Sequence, residues 1–441
     1  MDELFKSFAR LGLATSLWGV QQLQKTLTPF TAAGLIGLKP GGFIPDSFRN
    51  YLSQPMASAI SEMLAADSLA PRGMMKTAVE LMRSSAEIFK TITAQGDYHL
   101  AWSEFQNKLL SFYLFENIDS TLDISPNARP SLPEIVGKTS RLGPFLSVWA
   151  TEGVGHYVSD WHFAQGQLPT QLLSSPEAQA LSTASMIPLH AGVGLSLAEA
   201  SFRETSRSDE VPSLIATFVE RCQDSARKGF LGEAYEALGL ACRTLYPHLV
   251  GGIDRQLALT DEALLAYFWH GVGRAIYFAP TNVLPVRNAP WAAALQACSL
   301  EPPHALGRRN AASGFAWALT LVNMRQPEVM AGFLRQHVND ISASDAFSNG
   351  ICSAAIAWHD SAPGDEDLDP FRNFQPGDRH ETDLWKKYVK ASCDDALRYH
   401  SVITQHDALG EIFRYQNLPE FIRNLECANR NSSAANAQDA R

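Results

Sequence analysis

From residue 135 to about residue 428, apolar residues recur at the three- and four-residue intervals of helices, and short polar or proline-containing breaks separate the runs. Runs that alternate in the manner of strands are too few to build a sheet. Within this pattern a second one recurs: a polar residue, one or more small residues, then an apolar stretch at helical spacing. It is seen at Glu152–His156, His190–Gly194, Glu236–Gly239, His270–Arg274, Asn310–Gly314 and Asn349–Cys352. The last small residue of each instance falls at 155, 194, 239, 273, 314 and 352, with steps of 39, 45, 34, 41 and 38. Such steps are the length of helix pairs, each of which buries its apolar face only against a neighbour. The expectation is an all-α protein, an array of about six helical hairpins forming a solenoid or a closed toroid.

Before this array the pattern changes. Residues 4–27 carry Phe5, Phe8, Leu11, Leu17 and Val20 at helical spacing beside Lys6, Arg10, Gln21 and Gln22, and residues 56–92 repeat the theme with Met63, Met74, Val79, Met82 and Phe89. Both read as amphipathic helices that pack on the main body, or that meet a protein partner or a membrane surface. An aromatic-rich helix spans Tyr98 to Leu114, and prolines 126, 130 and 133 mark a linker. The expected organisation is an N-terminal amphipathic helical region (1–115), a linker (116–134), the helical-repeat domain (135–428) and a polar, disordered tail (429–441). The acidic stretch 360–383 lacks the ligand order of a calcium loop and reads as a solvated loop.

Composition narrows the function. The chain has 441 residues, 46 Asp and Glu against 36 Lys and Arg, and no basic cluster, which argues against a dedicated nucleic-acid binder. Its six cysteines form no CxxC or CxH pair, as expected of reduced core thiols. No stretch is long and apolar enough to span a bilayer, and the acidic start is unlike a secretory signal. A cytoplasmic place follows, or one peripheral to the inner membrane if the first two helices bind lipid.

Glycine inside a helix costs about 1 kcal/mol relative to alanine, so Gly153, Gly155, Gly192, Gly194, Gly271 and Gly273 need a reason. Close approach of helix backbones is the simplest, since no strand precedes these glycines and no phosphate-loop motif is completed. Glu152, Glu236 and His270 each lie three residues before their glycine, and His190 lies four before its own, so each shares a helix face with it. If those faces line one interior, Glu152, His190, Glu236 and His270 form a ligand set for iron, manganese or zinc. As acid–base groups the candidates are Glu152, His156, Glu236 and His270, with Arg274 four residues after His270. Arg274 would repel a cation and would pair with Glu152 or Glu236 instead. The same residues would also serve as a buried network of Glu, His, Arg and Asn that sets helix register.

The order of elements from about 148 to 338 resembles a bacterial family of unknown function encoded beside enediyne polyketide genes. The likeness rests on Glu152-Gly153, Ala191–Leu195, Glu236–Leu240, Gly271–Phe278 and Ala312–Phe315. It implies specialised-metabolite biosynthesis and lends no catalytic residues. Residues 1–115 have no counterpart in it. The expected function is an accessory enzyme or substrate-shaping protein acting on a hydrophobic or acyl-derived molecule, held by Trp161, Trp269, Tyr277, Phe278 and Trp317. The alternatives are a helical-repeat scaffold for a protein partner and a lipid-surface protein.

Overall fold

The computed structural model describes Leu100, Glu104, Asn107, Lys108, Ser111, Leu114 and Phe115, and the ranges 118–125, 131–204, 210–279 and 289–427. The chain divides into two units, Met1–Trp102 and Ser103–Arg441. The helices read at 4–27 and 56–92 and the tail at 429–441 lie outside the described residues. Everything below concerns the second unit.

Among the described residues the fold is all-α, without a strand. Twelve helices organise it: α1 (Leu132–Thr139), α2 (Pro144–Ala164), α3 (Met186–Glu204), α4 (Val211–Ser225), α5 (Leu231–Leu245), α6 (Val250–Thr260), α7 (Glu262–Phe278), α8 (Ala289–Leu300), α9 (Ala305–Val322), α10 (Pro327–Ile341), α11 (Ala346–Ser361) and α12 (Ala391–Gln405). Their starts follow local rules. Proline opens α1, α2, α4 and α10, where a missing N–H costs nothing. Asp261 caps α7 by accepting from Leu264 N at 2.9 Å, and His304 caps α9 by accepting from Gly307 N at 2.9 Å.

Two kinds of helix alternate. In α4, Val211, Leu214, Ile215, Phe218 and Cys222 make one buried stripe, the pattern of a helix with a solvent face. By contrast, every residue of α7 from Leu264 to Tyr277 is buried, and α3 is buried from Met186 to Phe202. The inner helices pack in chain order, α2 on α3, α3 on α5, α5 on α7, α7 on α9 and α9 on α11, with the partly exposed α12 against α11, while α4, α6 and α8 lie against the series from outside. Contacts between inner neighbours join residues about one repeat apart: Asp160 with Ser196, Ser313 with Asn349, Tyr277 with Asn323. Later turns meet later turns, so these neighbours run parallel. At the two ends of the series, Phe145 of α2 meets Trp358 of α11 with ring centroids 5.4 Å apart.

Glycines sit at every inner crossing. A Cβ on Gly155 would fall 2.5 Å from Leu189 O, and one on Gly194 2.7 Å from both Cα and O of Ala234. Cβ atoms on Gly192, Gly239, Gly271, Gly273, Gly314 and Gly350 would likewise overlap a backbone carbonyl of the adjacent helix. The close-approach reading of these glycines therefore describes what they do: helix backbones touch, with room for Cα–H···O contacts and for no side chain.

Residues 118–125, within the stretch read as linker, include the helical turn Ile118–Thr121, whose Ile118 packs into the core beside α2. The acidic stretch holds the short helix Leu368–Arg372, and Asp365 accepts from Trp358 Nε1 at 2.7 Å. After α12 the 3-10 turn Leu409–Phe413 packs on α5 and α11. Asn310 and Asn349 then hold the chain that follows, through Tyr415 N at 2.6 Å and Gln416 O at 2.7 Å.

Candidate functional site

Arg274 is the centre of the buried polar cluster. It lies one turn after His270 on α7, and α5 presents Glu233 and Glu236, also one turn apart, toward it. Arg274 Nη2 donates to Glu152 Oε1 of α2 at 2.6 Å. Its Nη1 donates to Glu236 Oε2 at 3.1 Å and to Glu233 Oε1 at 3.4 Å. The other oxygen of Glu236 accepts from His270 Nδ1 at 2.6 Å, which leaves His270 Nε2 buried and without a partner. Trp317 of α9 lies under the guanidinium, 4.7 Å from its centre to the ring centroid. Four helices thus converge on one cation, because the glycine crossings bring their axes close enough for short bridges.

The charges in this cluster are unequal. Burial pushes the Glu233 carboxyl well above the usual carboxylate range, and the neighbouring Glu236 charge pushes it further. Burial also raises Glu152, against the pull of Arg274. For Glu236, burial acts upward too, but Arg274 and His270 together outweigh it and hold the carboxyl below its ordinary value. Arg274 loses solvation, yet Glu152, Glu236 and Glu233 more than compensate and strengthen its proton affinity. The cluster is therefore an ion pair, Glu236 with Arg274, flanked by the Glu233 carboxyl, whose burial favours its protonated form.

A small cavity of about 20 Å³, room for about one water, adjoins the cluster. It is lined by Val148, Trp149 and Glu152 of α2, Pro188 and Ala191 of α3, Glu233 of α5, Arg274 of α7, Trp317 and Leu321 of α9, and Trp358 and Ser361 of α11. Five of its lining residues each leave one buried polar atom without a hydrogen-bond partner: Trp149 Nε1, Glu233 Oε2, Arg274 Nε, Trp317 Nε1 and Ser361 Oγ. These atoms are sealed within the packing around the cavity, and none is open to a water-sized body.

No protein-family model, curated protein or solved structure matches the chain. The site must be read from its own geometry.

Glu152, Glu236, His270 and Arg274 come together as one cluster. His156 lies one turn further along α2, where its Nε2 faces Glu199 Oε1 at 3.3 Å, beside the Asp160–Ser196 bond at 2.7 Å. His190 is separate again. Its Nδ1 donates to Met186 O at 2.6 Å and its Nε2 accepts from Arg227 N at 2.9 Å, so both nitrogens are engaged. Burial drives its pKa down to about 4. The expected metal set of Glu152, His190, Glu236 and His270 is not gathered into one shell, and a guanidinium stands between the carboxylates. Among the described residues no group of three or more His, Cys, Asp or Glu is arranged to hold a metal ion. These donors do not fit iron, manganese or zinc.

The five aromatic residues also separate. Trp317 lines the cavity, whereas Trp269 donates to Asp254 Oδ1 at 2.8 Å on the side of α7 that faces α6. Tyr277 accepts from Asn323 Nδ2 at 2.9 Å, with Lys108 Nζ 3.9 Å from its ring centroid. Phe278 packs on Tyr277, and Trp161 lies half-buried beside His162. Sequence reasoning passed over Glu233, Trp149, Trp358 and Ser361. Glu233 had a readable signal, since it lies three residues before Glu236 on a helix and shares its face.

Proposed function

We propose that α2, α3, α5, α7, α9 and α11 are the inner members of about six helical hairpins closed into a ring, whose interior binds a slender hydrophobic molecule and moves a proton on it. Glu233 is the acid and Glu152 its partner base. Glu236 and His270 position Arg274, which sets the charge balance between the two carboxyls. The observation that carries this reading is Glu233 itself: buried beside an ion pair, its carboxyl pushed well above the usual range, and part of the lining of the cavity. The Phe145–Trp358 contact between the first and last inner helices supports closure. The resemblance of residues 148–338 to the enediyne-associated family suggests a specialised-metabolite pathway in the cytoplasm, with residues 4–27 and 56–92 available to a partner protein or a membrane surface.

The test is retention and exchange. The full chain is incubated with 1-octene, 2-octanone and octanol in deuterated water, and retained compound is extracted for mass spectrometry. Expected are retention by the native chain, its loss in Val148→Trp, and carbon-bound deuterium that Glu233→Gln fails to introduce while still folded. Retention of none of the three defeats the reading. The narrowness of the cavity favours a second reading, a scaffold without chemistry. Under it, Val148→Trp would weaken folding alone and no deuterium would be introduced.

A further inference from the structure

A second cavity opens where α7 and α9 begin, and it shares no lining residue with the interior one. It measures about 470 Å³, enough for a small organic molecule, and is open to solvent. Alanine makes the room. Ala263 and Ala266, three residues apart on one face of α7, leave space beside Leu306 of α9, and these three side chains give the wall its apolar part.

Two charges of opposite sign stand in the same wall. Glu262 opens α7 and Arg309 lies in the second turn of α9, and both are exposed. Among the described residues no cation is paired with Glu262 and no carboxylate with Arg309. Arg309 has a fixed support: its guanidinium lies over the Tyr415 ring, 5.7 Å from the centroid. Tyr415 is itself held twice, by its backbone N–H to Asn310 Oδ1 at 2.6 Å and by its hydroxyl to Asp345 Oδ1 at 2.7 Å. The third charge of the wall, Arg414, is already matched, since its Nε donates to Glu411 Oε2 at 3.0 Å. A simple anion entering here meets Glu262, and a simple cation meets Arg309, so a ligand of one sign is opposed by one side of the cavity. A molecule with both charges and an apolar body is opposed by neither.

We infer that this cavity binds a small zwitterion with an apolar body, an amino acid or dipeptide. Its carboxylate meets the Arg309 fork, its ammonium meets Glu262, and its side chain lies on Ala263, Ala266 and Leu306.

Titration calorimetry on the full-length protein tests this near neutral pH and at low salt, where exposed charges are least screened. Leucine and leucylleucine are each compared with their N-acetyl and amide forms. The expected result is one zwitterion bound per chain, with either blocked form about tenfold weaker, the scale of one charge-assisted hydrogen bond. Arg309→Gln should weaken the zwitterion about tenfold and leave the amide form unchanged. Glu262→Gln should weaken it equally and leave the N-acetyl form unchanged, and Ala263→Leu, at an exposed position, should fill the cavity and abolish binding. Equal or tighter binding of a blocked form overturns the inference. So does binding that neither charge substitution alters, and so does a failure of both leucine and leucylleucine to bind.

Discussion

The sharpest test of the fold is a single methyl group. In Gly194→Ala the new Cβ would lie 2.7 Å from both the Cα and the carbonyl oxygen of Ala234, backbone atoms that no rotamer change can move. Ordinary contact begins near 3.4 Å, so α3 and α5 must separate by roughly 0.7 Å. A gap of that size forfeits a quarter to a half of each dispersion contact across the interface. Over several tens of atom pairs at about 0.1–0.2 kcal/mol each, the loss comes to about 2–3 kcal/mol. Alanine returns up to about 1 kcal/mol of helix propensity. The net expectation is destabilisation by about 2 kcal/mol. Gly252, on the outer helix α6, is the control: a Cβ there meets only Val211 Cγ2, at 3.6 Å, and Gly252→Ala should stabilise by a few tenths to about 1 kcal/mol. Urea unfolding followed by circular dichroism measures both. The two substitutions should move the midpoint in opposite directions. If Gly194→Ala raises it as Gly252→Ala does, the argument from touching backbones is wrong.

Three further outcomes follow from the charges. Because the folded-state pKa of Glu233 is raised, its contribution is complete below the unfolded carboxyl value of about 4.3 and is lost as pH rises through the folded value. Glu233→Gln should therefore unfold at a higher urea concentration near pH 8 and gain little near pH 5, and an equal gain at both would refute this. His190 has the opposite dependence: its folded pKa of about 4, against 6.5 unfolded, adds stability as pH rises between those values, about 3 kcal/mol in all. Its ring resonances in NMR should stay those of the neutral Nδ1–H form down to about pH 5, and titration near 6.5 would contradict the Arg227 N–H bond. Arg274→Met leaves Glu236 and Glu152 facing each other without a cation and should cost about 3–5 kcal/mol, read by the same urea titration. A loss under about 1 kcal/mol would mean that the carboxyls simply take up protons at no cost.

How far the sequence could be read depended on whether a residue declares its own direction. Gly192 and Gly271 did so, because a glycine in a helix interior must be tolerated for a neighbour's sake, and the recurring polar residue then marked the turn that meets that neighbour. Arg274 could be linked to Glu152 and Glu236 on spacing alone. Helices buried on all sides gave no such direction: in α7 every position from Leu264 to Tyr277 is buried, so nothing distinguished Trp269, turned about 100° from His270 toward Asp254, from a residue facing the interior. His190 shares the repeat position of His270 but finds its partner in Arg227 N, supplied by the turn between α4 and α5, whose course no periodicity describes. The unmatched indole of Trp149 became visible only with α11 and α9 beside it.

The bare crossings have a mechanical consequence. Where helices mesh through side chains, knobs lodged in holes oppose both sliding and turning. At Gly192 and Gly271 backbone lies against backbone with nothing interlocked, so the contact resists approach while leaving the crossing angle soft. Each crossing is then a fulcrum. Tilting α2, α9 or α11 about such a crossing would shift Trp149, Trp317 and Ser361, which those helices carry, while the waist stays fixed. The space between them would then widen by small rotations at several crossings, with no hinge loop.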